Sequence, residues 1–263
     1  MPVVTKISYS DIKWRINPKR RPPKRHKTEL DTFDEWTGGI PYGLTIIYGT
    51  AGCGKSLLAR TISTLSKGCI YLACEVQSDA PENLDNVIMV DYTTHKPNYK
   101  RALNELDLLI EHLEPELVII DSLTSFLSVT NMGEADLRKG VSPIHTQYEG
   151  KIPIIGISEV RGNGYNRSTA GGEGVKHACS MLIEMEHEII QFPSIAESYG
   201  MDIGDDVYTL RVVKDKHNIS NTKSAKVILK NNIPQLFSLL PESPGFKKKG
   251  FGKPKETKTG WQG

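Results

Sequence analysis

Two hydrophobic patterns alternate between residues 28 and 240 of this 263-residue chain. Leu44 to Tyr48 (LTIIY) is a short continuous apolar run with glycine on either side, which predicts a buried strand. A glycine-rich turn follows, and then Leu58, Ile62 and Leu65 recur at helical spacing within Ser56 to Ser66, with Gly68 as a stop. CIYLACE (69 to 75) and NVIMVDY (86 to 92) read as strands from their β-branched and aromatic content. Leu103, Leu106, Ile110 and Leu113 share one face of a helix over residues 98 to 113. LVIID (117 to 121) is almost wholly apolar and ends in a carboxylate, the pattern of a central parallel strand. IPIIGIS (152 to 158), SMLIEME (180 to 186), VYTLRVV (207 to 213) and KVIL (226 to 229) complete the set. This alternation predicts an α/β fold: a mostly parallel central sheet with helices on both faces. The last strands are expected to be antiparallel, because only short turns separate them.

Charge changes that picture at the two ends. The net charge of +2 conceals a core of residues 28 to 246 with 18 basic and 29 acidic residues, a net of −11 before histidine. Lys13 to Lys27 holds eight Lys or Arg and no acid, and Lys247 to Gly263 holds six Lys and only Glu256. The expected organisation is a basic, largely flexible segment 1–27, a core 28–240 and a basic Gly/Lys-rich tail 241–263. Such ends either meet a polyanion or fold back onto the acidic core. Cys53, Cys69, Cys74 and Cys179 form no CxxC pair and are expected as reduced thiols. With no apolar run of eighteen residues and no leader-like start, the expectation is a cytoplasmic protein without membrane contact. The histidines have no Cys or His at ligand spacing, so no zinc site is expected.

The turn after the first strand carries the chemistry. Gly49-Thr50-Ala51-Gly52-Cys53-Gly54-Lys55-Ser56 matches G-x-x-x-x-G-K-[ST] at every fixed position, between a strand and a helix as that motif requires. Its backbone N–H groups and the helix N-terminus suit phosphate oxygens. Lys55 would neutralise the β and γ phosphates of ATP, and the Ser56 hydroxyl would ligate Mg²⁺. Asp121, at the carboxyl end of LVIID, would emerge on the same sheet edge and hold Mg²⁺ through water. Glu75, at the end of the strand after the phosphate-loop helix, is the candidate to orient the attacking water.

Together with FDEWTGGIP (33 to 41), Gly43, the LVIIDSLTS segment and Gly171-Gly172 before a His-bearing helix, these residues resemble the RecA superfamily of P-loop ATPases. The likeness is to archaeal RadA recombinases, their core-only paralogues and KaiC-like ATPases, over about residues 28 to 235. The resemblance implies that Glu75 is the catalytic glutamate and Asp121 the Walker B acid. It also implies that residues 160 to 174 form a DNA-binding loop in which Arg161, Asn163, Tyr165 and Arg167 touch single strands, against the alternative of a plain surface loop. Lys214 and Lys216 resemble the family's cations that reach a neighbouring subunit's nucleotide; a solvated charged turn is the other reading. His177 either couples the loop to nucleotide state or is a packed side chain. The chain departs from recombinases in having Ser158-Glu159 where they carry an amide sensor, and in lacking the helix-hairpin-helix domain and polymerisation motif.

The function these readings imply is a DNA-dependent ATPase: a single-stranded-DNA-binding accessory in recombination or repair. It would assemble as a homo-oligomer, or with a recombinase or another RecA-like protein. The alternatives are a KaiC-like signalling ATPase or kinase with protein partners, and a ring helicase or packaging-type motor.

Overall fold

The computed structural model describes residues 24–75, 85–94, 97–130, 137–161, 168–169, 172–217, 224–230 and 233–239. Its spine is strand β3 (Gly43–Gly49), fully buried along its length. Side chains alternate across a strand, so Leu44, Ile46 and Tyr48 enter one core while Ile47 enters the other. The first core is closed by α3 (Tyr99–Leu113), α4 (Leu123–Val129) and α5 (Leu137–Tyr148). The second is closed by α1 (Asp31–Thr37), through Phe33 and Trp36, and by α2 (Lys55–Leu65), through Leu58, Ala59 and Ile62. Helices therefore cover both faces, as the sequence pattern predicts.

The remaining strands are β4 (Cys69–Ala73), β5 (Val87–Asp91), β6 (Leu117–Asp121), β7 (Pro153–Arg161), β9 (Met181–Ile189), β10 (Asp206–Asp215), β11 (Ala225–Lys230) and β12 (Ile233–Leu239). Their order in the sheet is β12-β11-β10-β9-β3-β7-β6-β4-β5, and the short β8 (Ser168–Thr169) pairs with β7. From β9 to β5 every pairing is parallel, and β9 to β12 are joined antiparallel, although residues 190–205 between β9 and β10 form a long connection that carries a helix and not the short turn expected. The carboxyl ends of β3, β4, β6 and β7 share one edge, the position where open α/β sheets bind ligands. Two short helices, α6 (Gly172–His177) and α7 (Pro193–Tyr199), flank β9.

The start of the core differs from the expectation. Residues 25 and 26, assigned above to a flexible segment, form strand β1 (Arg25–His26), antiparallel to β2 (Ile40–Pro41). Arg25 holds this position by a bidentate pair with Asp215 at 2.7 and 2.8 Å, and it also donates to the carbonyls of Thr37 and Gly39. Residues 1–23 and 240–263 lie outside the described residues. Among the described residues no helix is long and apolar enough to cross a membrane.

Candidate active site

The phosphate-binding motif occupies the step from β3 into α2. Two of its glycines are there for steric reasons. A Cβ on Gly49 would lie 2.1 Å from the Met185 carbonyl oxygen and 2.5 Å from Cys53 Sγ. Gly54 takes φ +82, the left-handed region that favours glycine, and caps α2. The result is a tight loop whose backbone can approach an anion closely at the N-terminus of an eleven-residue helix. Lys55, 7 % exposed, donates from Nζ to the carbonyls of Gly49 at 3.1 Å and Thr50 at 2.7 Å, and lies 3.7 Å from Cys53 Sγ. Its ammonium is thus tied to the loop itself. Burial raises the Cys53 thiol pKa, an effect the nearby Lys55 partly offsets.

Beyond β7, on β6 and at the end of β4, the acids come together. Ala73 pairs with Asp121 across β4 and β6, and the Cys74 amide donates to the Asp121 carbonyl at 2.8 Å. Asp121 is 2 % exposed and falls on the α2 side of the sheet, in step with Leu117 and Ile119. The Tyr71 hydroxyl donates to its Oδ2 at 2.6 Å. Ser122, joined to Asp121 by a cis peptide, caps α4 by accepting from the Ser125 amide at 3.2 Å. The exposed Glu75 is held between two hydroxyls: Ser122 Oγ and Ser125 Oγ each donate to its Oε1 at 2.6 Å. Burial, reinforced by the carboxylates of Asp121, Glu75 and Asp91, pushes the Cys74 thiol pKa well up. Cys69 is raised to about 12 and Cys179 to about 11, both by burial. All four cysteines are buried and free.

On the other side of β3, Glu184 sits opposite Tyr48 and Arg211 in register and pairs with the Arg211 guanidinium. Burial, then the Glu184 carboxylate, raises the Tyr48 hydroxyl pKa. Ser158 and Glu159 end up beside Tyr48 and Gly49, with Ser158 buried and Glu159 exposed at the carboxyl edge.

The structure brings Gly49–Ser56, Glu75, Asp121 and Glu159 to one sheet edge, and it leaves Lys214 and Lys216 at the other. Asp215 pairs with Met181, at the amino end of β9, whereas Gly49 pairs with Met185. Lys214 Nζ donates to the carbonyls of Lys176 and Cys179 at 2.6 Å each, and Lys216 pairs with Glu149. Within the chain the two lysines tie Lys176, Cys179 and Glu149 to the end of β10, and their reach to a neighbouring subunit's nucleotide stays a proposal. Arg161 is described by its backbone alone, at the end of β7, and Asn163, Tyr165 and Arg167 lie outside the described residues. His177 is exposed at the end of α6, which removes the packed-histidine reading. Sequence analysis gave no role to Tyr71, Ser122 or Ser125, because the carboxylate that each hydroxyl meets lies about fifty residues away in the chain.

The architecture is a RecA-like α/β fold with the glycine-rich loop at the step from β3 into α2. A KaiC-like protein from the hyperthermophilic archaeon Pyrococcus horikoshii OT3 superposes with a TM-score of 0.62 at 15% identity, covering 82% of this chain and 100% of the other. That likeness speaks for the RecA-like fold and does not single out the RadA branch. No protein-family model matches the chain, and no curated protein does.

Proposed function

We propose that this protein is an ATPase in which Glu75 orients the attacking water and the Gly49–Ser56 loop holds the phosphates. The observation that carries the reading is the pairing of that loop with a Glu75 carboxylate fixed by two hydroxyls on the same sheet edge. The residues fit a magnesium nucleotide. Close-packed glycine gives the backbone access to an anion, Lys55 carries a positive charge inside the loop, and Ser56 and Asp121 offer hard oxygen donors. Bound there, Mg²⁺ would supply charge neutralisation at the β and γ phosphates. Tyr71 orients Asp121, while Ser122 and Ser125 hold Glu75 ready to accept a proton from water.

The partner in this reading is single-stranded DNA, in keeping with eight and six cations clustered at the ends of an acidic core. A second reading, a KaiC-like ATPase whose partner is protein, draws equal support from the structural likeness to a KaiC-like protein. One experiment tests both: steady-state ATP turnover of the full chain with and without single-stranded DNA. Lys55→Ala should abolish tight Mg-ATP binding, and Glu75→Gln should keep binding while turnover falls about a hundredfold. Turnover that DNA does not stimulate would favour the protein-partner reading, and full turnover by Glu75→Gln would remove Glu75 from its role.

A further inference from the structure

The direction in which a nucleotide must lie follows from the strand order. Glu75 and Asp121 end β4 and β6, which stand on one side of β3. On the ATPase reading the terminal phosphate would point toward those acids, and the nucleoside would then run the other way, over β9 and β10. There the sheet does not stop level with the phosphate loop. Gly49 is in register with Met185, and β9 continues to Ile189, paired throughout with β10. Those four further residues extend the ribbon about 13 Å past the loop.

The α2 side of this extension presents two stacked rings. Tyr208 continues the core row of Leu210 and is 7 % exposed. A Cβ placed on Gly54 would meet Tyr208 Cε1 at 3.0 Å, so the tyrosine borders the phosphate loop directly. His187, its cross-strand partner, stacks on it with centroids 5.0 Å apart and planes at 27°. The imidazole is held by a 2.6 Å hydrogen bond between Nε2 and Asp206 Oδ1, and 29 % of its side chain stays open to solvent. A ring fixed on one side by another ring and on its edge by a carboxylate is a preorganised stacking surface.

We infer that His187, backed by Tyr208, is the platform on which the nucleobase of the bound nucleotide stacks. This assignment rests on the ATPase reading and adds the base subsite to it. Stacking reads the face of a base and not its edge, so the site takes the nucleobase as a class.

Calorimetric titration of the full chain with Mg-ATP and with Mg-tripolyphosphate separates base from phosphate. The wild type should bind ATP more tightly than tripolyphosphate. His187→Ala should weaken ATP roughly 5- to 150-fold, the range expected for losing one base–aromatic stack, with tripolyphosphate affinity unchanged. His187→Trp should keep the ATP affinity. The proposal is overturned if His187→Ala binds ATP like wild type, if it loses both ligands equally, or if wild type binds tripolyphosphate as tightly as ATP. In that last case the phosphate loop still binds and the ATPase reading stands. A wild type that binds neither ligand would overturn both.

Discussion

Glu75 and Ser122 meet at 2.6 Å across the carboxyl ends of β4 and β6, and Ser125 reaches the same carboxylate oxygen at the same distance. Glu75 is exposed, so packing alone does not hold it, and the two hydroxyls set its direction. Charge-assisted hydrogen bonds are about twice as strong as neutral ones. Removing both should let the carboxylate wander without changing the phosphate loop. Ser122→Ala/Ser125→Ala is expected to lower kcat roughly tenfold or more, since small misplacements of a catalytic group are costly. ATP affinity should stay within about twofold of wild type. Comparing kcat with the ATP Kd checks this, and an unchanged kcat would show that Glu75 needs no such support.

A second prediction concerns Arg25 and Asp215, whose side chains are both 5% exposed. The pair ties the start of the core to the end of β10, and Arg25 also satisfies the carbonyls at the end of α1. Arg25→Ala would take the guanidinium away from the buried Asp215 carboxylate, which would keep its hydrogen bond from the His217 amide, and a loss of about 3–5 kcal/mol is expected. Urea unfolding of the purified variant measures it. A loss below about 1 kcal/mol would mean that β1 is an ornament on the fold.

The pH dependence of stability has a definite sign. His26, His145 and His217 all have pKa values lowered from 6.5, with burial the largest cause in each. The unfolded chain therefore binds more protons than the fold just below that value. Stability should be fully present above about pH 6.5 and should decline as pH falls toward the folded-state values. Glu149 acts in a lower window: its hydrogen bond from Lys216 lowers its pKa from 4.5, so its contribution fades only in stronger acid. Urea midpoints measured between pH 7.5 and 5.5 should fall, and His26→Gln/His145→Gln should flatten the slope. A flat wild-type profile would contradict the prediction.

Lys214 yields a prediction from its ties within the chain. Its ammonium satisfies the carbonyls of Lys176 and Cys179, where α6 ends. Hydrogen bonds to a charged group contribute roughly 1.5–3 kcal/mol. Lys214→Ala should therefore lower the unfolding midpoint while Mg-ATP affinity stays at the wild-type level. A variant that unfolds normally but loses ATP affinity would return this lysine to the nucleotide.

What the sequence made legible follows from which forces act locally. LVIID was readable to the residue because a central strand is apolar along its whole length, and the observed β6 is Leu117–Asp121. Helix α5 was not readable, since Gly140 and Pro143 look like breakers. Its Val141, Ile144 and Tyr148 nonetheless pack in the core, and Gly140 fits because a Cβ there would lie 2.3 Å from Leu127 Cδ2. Tertiary packing overrode local propensity. The end of β9 was missed for the converse reason: Glu186 to Ile189 are exposed, and pairing with β10 extends the strand where burial does not. The site divides along the same line. Gly49–Ser56 is contiguous and could be read as a motif, whereas the Ser125 to Glu75 bond joins positions fifty residues apart that only the fold brings together.

The last prediction returns to charge. A core of net −11 repels a polyanion, so affinity for single-stranded DNA has to come from the basic ends, Lys13 to Lys27 and Lys247 to Lys258. Most of that first cluster and all of the second lie outside the described residues, but Arg25 is committed to Asp215 and is not free to bind phosphate. If roughly six of the remaining cations each displace a counterion, the slope of log affinity against log salt should be near −4, at about −0.7 per phosphate. Deleting residues 247–263 removes six lysines and should make that slope visibly shallower. Turnover without DNA should be unchanged, because the deleted segment contains none of Gly49–Ser56, Glu75 or Asp121. Salt titration of DNA binding by full-length and truncated protein decides the matter. Equal slopes and affinities would remove the tail from DNA capture and turn attention to an acidic protein partner.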